Sequence, residues 1–495
     1  MPHKSVLNTE STRLSQIHRM LPGIDATAGA WACSVCIGHI HILLASLFLV
    51  GSGNTYAEQA PDTIDAKTEA QSGKTKMVEN IPSSVPAQPT VNMAPDAARR
   101  GNLQVNSGTD KIRTNQDPVV KLKEVMVLGK ERGTSLIGET QSASQGFIGQ
   151  EQIKNRPLSR TGEIMEFIPG MIATQHSGDG KANQYFLRGF NLDHGTDFAT
   201  FVDGVPINLP SHAHGQGYMD LNGLIPELID NIQFGKGPYY ADQGDFSAAG
   251  HAKMATFNSL PQGFAKFTGG SFGFYRGVAA KSSRIGDGDL LYAGDVNTYD
   301  GPWALAEHAL KFNGMLKYSL DYGNWGGSIG VKAYHANWRP TNQIPLFAVQ
   351  DGLINRFGNI DPTDNGKTGR YTLHGDWWQK GSDYRRDASF YLVKYDLDLT
   401  SNFSGYINSV ANNTILPGGI IPSDQMNQVD NRIYFGGRVQ QSWFNKIAGF
   451  EMENSLGLQV RTDLNHVLLN NSNRGVVYRN VSNDRVAQTS VGVYL

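Results

Sequence analysis

QYFLRGFNLDHGTDFATFVDGVPINLPSHAHGQGYMDLNGLIPELIDNIQFGKGPYYADQGDFSAAGHAK, residues 184–253, is the stretch on which the reading of the whole chain turns. Two short apolar runs, YFLRGF at 185–190 and ATFVDGVPI at 199–207, each carry a glycine just after a charged residue. A third run, ELIDNIQFGKGP, enters a turn at 235–238. Glycine accepts positive φ and proline fixes φ, so these positions read as strand-terminating turns. Three strands with three tight turns in 70 residues predict a small sheet-rich domain.

In order and spacing this segment resembles the plug domain of TonB-dependent outer-membrane receptors. That family has an R-G-F/I strand, a strand ending in D-G-V/I, and an I-E-x-I-x-R-G-P strand. Arg188-Gly189-Phe190, Asp203-Gly204-Val205 and the run through Lys236-Gly237-Pro238 are the counterparts. The resemblance implies a mixed α+β plug domain followed by an antiparallel transmembrane β-barrel in the cell outer membrane. It further implies TonB and a small nutrient ligand as partners, outer-membrane lipid as surroundings, and no cofactor. Arg188 then corresponds to the arginine of an ionic lock between plug and barrel, with Lys236 where the family has a second arginine. Asp203 reads as a turn-fixing residue, since Asp bonds nearby backbone. Residues 239–259 depart from the family's Gly-rich run by adding Asp242, Asp245 and His251, which marks a subtype.

Composition agrees with a barrel. Charged residues make up 18%, below the usual quarter, while aromatics reach 10% and glycines number 56. A net charge of −2 gives nucleic acid no electrostatic foothold. The two cysteines, Cys33 and Cys36, precede the apolar run IGHIHILLASLFLV. That run is too short to span a bilayer as a helix, and with Lys4, Arg13 and Arg19 before it and Thr55-Tyr56-Ala57 after it, residues 1–57 read as a signal peptide. Residues 58–118, rich in Gln, Pro, Ser and Thr, read as a flexible periplasmic linker. At 119 the character changes to VKLKEVMVLGKE. Glu124, Val125, Met126 and Val127 resemble the TonB box, an extended peptide suited to adding a strand to a partner's sheet; the alternative is the first strand of the plug.

Residues 152–167 carry a helical apolar pattern, with Pro157 in its first turn and Pro169-Gly170 as its stop. His194, His212 and His214 lie in Gly-bounded loops with Asp220 nearby. Neutral imidazoles two apart can bind Zn, Cu or Ni, and the pattern is similar to that of metallohydrolases. Plain loop histidines, ligand or transient metal contact, and catalysis all stay open at this point.

From 259 to 495 the chain reads as alternating strands, with candidates at 264–268, 272–279, 290–296, 312–320, 328–334, 388–395, 403–409, 433–440, 450–458, 458–464 and 490–495. Trp325, Trp338, Trp377, Trp378 and Trp443 are expected at interface girdles, and residues 339–387 as an outer loop. The plug, with its TonB box, is expected over 119–258. The family's barrels have 22 strands, more than 259–495 can hold, so the chain is expected to be a fragment carrying the first part of the barrel. The resulting functional expectation is TonB-dependent import of a ferric siderophore or another metal complex. The alternatives are a passive porin-like or adhesive barrel and, further off, a periplasmic metallohydrolase.

Overall fold

The computed structural model describes residues 139–495 apart from Ala143; the signal, the linker and the TonB box at 124–127 lie outside the described residues. The first part of the described chain forms two small sheets. One has six strands in the order β1-β2-β8-β9-β6-β7, and the other is β3-β4-β5. Their ranges are β1 Glu139–Ser142, β2 Gln145–Gly149, β3 Met171–Thr174, β4 Gln184–Leu187, β5 Phe190–Asn191, β6 Phe198–Val202, β7 Val205–Pro206, β8 Ile229–Gly235 and β9 Gly250–Thr256.

Both charged-residue–glycine pairs close two-residue hairpins. Arg188 and Gly189 (φ 52° and 82°) join β4 to β5, and Asp203 and Gly204 (φ 50° and 76°) join β6 to β7. Consecutive positive φ values are the geometry whose twist matches that of the flanking strands. A core of Ile148, Ile164, Met165, Leu187, Phe198, Val202, Ile229 and Ile232 fills the space beneath.

The helical pattern at 152–167 is realised in two pieces. Helix α1 (Gln150–Asn155) stops at Arg156, whose extended backbone (φ −103°, ψ 122°) is what a following proline imposes. A 3-10 helix at Thr161–Phe167 takes over. Pro157 therefore ends one helix instead of opening the next.

After Thr256 the chain builds one ten-stranded antiparallel meander: β10 Phe264–Gly269, β11 Tyr275–Ile285, β12 Gly288–Tyr299, β13 Ala309–Asp321, β14 Trp325–Trp338, β15 Asn365–Lys380, β16 Tyr384–Ser401, β17 Gln425–Ile447, β18 Phe450–Asn473 and β19 Val476–Tyr494. Three expectations change here. Residues 365–380, read as part of a long loop, are β15; residues 403–406 are loop and 407–409 open α3 (Ile407–Ala411); and the two candidates meeting at 458 are one strand. Helix α2 (Leu346–Gln350) lies in the loop before β15.

The alternation along these strands is inverted relative to a soluble sheet. On β13, Leu310, Phe312 and Leu316 are 46%, 48% and 50% exposed, while Lys311, Asn313, Lys317 and Ser319 between them are buried. Ile329 and Val331 on β14, Phe390 and Leu392 on β16, and Ile433 and Phe435 on β17 continue the outward apolar face. An apolar outside with a polar inside is stable only where the outside meets lipid. No described helix is long and apolar enough to cross a membrane, so any crossing by the described residues is by strands. Short turns after β11, β13, β15 and β17 occupy one end; longer connections after β12, β14 and β16 occupy the other, which is the outward end of such barrels. Trp325, Trp377, Trp378 and Trp443 stand near the short-turn end. Trp338 departs from the girdle expectation: it is buried on the inner face.

Candidate functional site

The small sheets lie against the polar inner face of the meander, and the chemistry concentrates where the two meet. Three sets of charges join them. Asp203, in the β6–β7 turn, is buried and accepts the backbone N–H and the hydroxyl of Thr256 (2.8 Å each). It also faces Lys332 Nζ on β14 at 2.5 Å and Lys317 Nζ on β13 at 3.6 Å. Burial pushes its carboxyl up, yet the two ammonium groups and nearby His374 outweigh this and hold it far below the carboxylate range. Glu227 receives both terminal nitrogens of Arg276 on β11 (2.8 Å each), and that guanidinium also reaches Asp295 on β12 at 2.9 Å. Asp242 takes Arg438 of β17 at 3.4 Å and Lys253 of β9 at 2.8 Å.

These are not the residues expected to lock the two parts together. Arg188 is exposed and its side chain reaches only Ser144 Oγ, at 3.4 Å, while Lys236 donates to the carbonyl of Pro169, also at 3.4 Å. Among the described residues neither forms an ion pair with the barrel strands. Arg188 sits on an exposed hairpin tip, whereas Asp203, on the equivalent tip of the next hairpin, meets two lysines of the wall.

Side chains of the wall grip the loop at 206–214 by its carbonyls. Tyr434 donates to Pro206 O (3.0 Å), Arg461 to Asn208 O (2.9 Å), Arg432 to Pro210 O (2.7 Å), Asn465 to Ser211 O (3.1 Å) and Gln428 to Ala213 O (3.2 Å). Arg432 has a fully buried side chain and is itself held by Asp430 (2.7 Å) and Asp463 (3.2 Å).

The three expected histidines come together here and His176 joins them. His212 stacks on Tyr218 (ring centroids 4.2 Å, 8° apart) and meets the Tyr395 hydroxyl at 3.3 Å. His194 lies 4.8 Å from His214 and 5.1 Å from His176 between ring centroids. His194 Nδ1 donates to the carbonyls of Ala182 and Asn183, and His214 Nδ1 donates to Gln428 Oε1 at 2.8 Å. No three His, Cys, Asp or Glu side chains among the described residues are placed to hold a metal ion. Asp220, buried, caps the Asn222 N–H at 2.9 Å; burial pushes it up to about 6. The expected companion acid thus caps a turn of its own segment, and no hydrogen bond joins it to the histidines among the described residues.

Burial lowers His194 and His214 to about 3, with Lys181 adding to the effect on both, and burial with the Arg432 guanidinium nearby holds His212 well below its ordinary value as well. These imidazoles are neutral in the folded protein and titrate near 6.5 when it unfolds. Their stabilising contribution is complete above pH 6.5 and is lost as pH falls from there toward 3, by about 1.4 kcal/mol per histidine per pH unit. Resistance of residues 184–256 to proteolysis should therefore drop between pH 6.5 and 4, and a His194→Gln, His214→Gln variant should lose less over that window.

His176 and its loop could not be singled out from the sequence, because nothing adjacent to it signals a site. The structure shows why the loop fits: a Cβ on Gly180 would overlap the Trp338 ring, and Gly178 (φ 68°) approaches the same ring. Glycines at both positions let residues 176–181 press against the wall. Beside them a cavity of about 290 Å³ opens under the outer loops, lined by Arg160, Gln175, His176, Tyr299, Trp303 and Arg356 among others.

Residues 137–251 match the family model described as TonB-dependent Receptor Plug Domain. Solved structures with the same fold include the copper transporter OprC, at 14% identity and a TM-score of 0.52, aligned over 72% of this chain and 52% of that one. The ferric citrate transporter FecA in its unliganded form is 13% identical, with a TM-score of 0.55 over 70% of this chain and 52% of that one. The siderophore receptor PiuA from Acinetobacter baumannii is 10% identical, with a TM-score of 0.51 over 70% and 53%. This chain thus spans about half the length of these structures.

Proposed function

We propose, from the premise that this chain is a TonB-dependent receptor plug domain set against ten strands of its barrel, that the complete protein is an outer-membrane receptor importing a scarce metal complex with energy supplied through TonB. The observation that carries this reading is the plug seated by buried charge pairs on the polar face of a sheet whose other face is apolar. A plug held this way would block free diffusion through a complete barrel, which disfavours the passive porin-like alternative. Asp203 and Glu227 are each held by groups whose loss leaves a buried charge, so moving the plug needs work, and no nucleotide is available in that membrane. A partner pulling on Glu124, Val125, Met126 and Val127 would supply it. The neighbours described as a copper transporter, a ferric citrate transporter and a siderophore receptor make a metal complex the favoured cargo.

Deleting residues 124–127 from the full-length receptor is expected to leave ligand binding intact and to abolish energised uptake, measured with radiolabelled metal complexes in whole cells. Uptake unchanged by the deletion would return the reading to a passive barrel.

A further inference from the structure

A second cavity, of about 40 Å³, lies between the plug and strands β14 and β15 and shares no lining residue with the one under the outer loops. It has room for one small ion or a few waters. Its polar lining is Asp220 from the plug and Lys332, Tyr334, Arg370 and Thr372 from the wall; apolar plug residues such as Val202 and Leu224 close the rest. Four polar atoms of this lining are buried without a partner among the described residues: Asp220 Oδ2, the Tyr334 hydroxyl, and Nε and Nη1 of Arg370. Such atoms are costly to leave unmatched, so four in one small lining call for an occupant.

Charge decides which occupant. Lys332 already faces Asp203 at 2.5 Å. Arg370 is buried and enters no ion pair among the described residues; only its Nη2 is engaged, by Tyr434 and, at 3.4 Å each, by the carbonyls of Pro206 and Ile207. A buried guanidinium without a counter-ion is strongly unfavourable. Asp220 does not supply one by direct contact: its Oδ1 accepts the Asn222 N–H at 2.9 Å, and no hydrogen bond or ion pair joins it to Arg370 among the described residues. Burial pushes Asp220 up to about 6 even though Arg370 and Lys311 pull the other way. A carboxyl that takes up a proton this readily turns Oδ2 from an acceptor into a donor. The unmatched atoms can then all donate at once, the pattern that an anion satisfies and that water, which must place its own hydrogens, does not.

We propose that this cavity binds a monovalent anion of halide size, such as chloride, through Arg370, Tyr334 and the protonated carboxyl of Asp220, and that the anion helps seat the plug on the wall. The anion gives Arg370 its missing counter-charge and ties the plug segments at 202–207 and 220–224 to two strands of the wall. Apolar surroundings lower the local dielectric and strengthen the pairing. Proton and anion favour each other's binding, so affinity rises as pH falls through about 6. The other ionisable groups that face Asp220 are Lys311, Lys332, Arg370, Tyr334 and Tyr395 from the wall and Tyr185 and Tyr218 from the plug. None is a histidine or a carboxyl, the types that titrate near that pH. Neither cargo nor TonB enters, so the site stands or falls apart from the transport reading.

Bromide is the probe. Crystals of the full-length receptor soaked in sodium bromide should show an anomalous-scattering peak beside Arg370, stronger at about pH 5.5 than at about pH 8. In detergent-extracted receptor at about pH 5.5, sodium chloride should slow proteolysis of residues 184–256 relative to sodium gluconate at equal ionic strength. Tyr334→Phe removes one donor and should raise the half-saturating chloride concentration at least about fivefold. Asp220→Asn should keep the anion but lose the pH dependence, since an amide donates at every pH. Arg370→Met should abolish both effects, and the parent measurements decide the matter even where that variant does not fold. Water in place of bromide at both pH values, or equal protection by chloride and gluconate, would overturn the proposal.

Discussion

Replacing Asp203 with alanine is expected to destabilise the plug's seat by about 3–5 kcal/mol, the cost of leaving buried charge without its counter-ion. Lys317 and Lys332 would then face each other across the space the carboxylate held, and the Thr256 N–H would lose its acceptor. Three replacements separate the causes. Asn keeps a side chain that tolerates positive φ and can still accept from Thr256, so Asp203→Asn isolates the charge and should cost less than alanine. Adding Lys332→Met to Asp203→Asn should recover part of the loss, because one of the two stranded ammonium groups is gone. Glycine accepts the backbone angle freely, so Asp203→Gly should resemble alanine in electrostatics without its φ strain. Urea unfolding of detergent-extracted receptor, followed by proteolysis within residues 184–256, reads all of these. A loss below about 1 kcal/mol for Asp203→Ala would mean that water and Thr256 compensate the lysines, and the lock would have to be sought at Glu227 and Arg276 instead.

The contrast between Asp203 and Arg188 shows what the sequence could and could not carry. Both were legible as turn residues, because a charged residue followed by glycine between apolar runs is a local signal and the two hairpins form from local geometry. Their electrostatic roles were not local. Lys332 is 129 residues from Asp203, and only the closing of the sheet around the plug decides which hairpin tip meets a lysine pair. β15 failed to stand out for a related reason. Its inward face needs small or polar residues such as Thr368, Arg370, Thr372 and His374, and these with Gly366, Gly369 and Gly375 resemble loop composition until the lumen is known to be polar. The error at 403–409 ran the other way: an apparently alternating segment is turned by Gly405 (φ 69°) and pinned by Asp424, which accepts from Asn408 N and Ser409 N. Trp338 was visible as a strand end, but not the two glycines of the plug that pack on it. The histidines were visible as a group; their burial, neutrality and wall contacts depended on strands up to 214 residues away.

Arg432→Met should produce the other large effect, again about 3–5 kcal/mol, and by a different route. The guanidinium is fully buried between Asp430 and Asp463 on adjacent strands and donates to the Pro210 carbonyl. Methionine would fill much of the volume, but it would leave Asp430 buried without a cation, Asp463 with Arg461 alone, and a buried carbonyl without a donor. The 206–214 loop would lose its central grip, and with it the placement of His212 against Tyr395 and of His214 against Gln428. Two measurements separate the stranded charge from the lost loop contact. If charge dominates, Asp430→Asn added to Arg432→Met should cost less than the single change, a coupling of opposite sign to simple addition. If the loop contact dominates, the double variant should be no better than the single one, and proteolysis should begin within 206–214 in both. Arg432→Lys separates them further. It keeps a positive charge but not the fork that reaches two carboxylates and a carbonyl together, so it should restore barrel stability more fully than it restores protection of the loop.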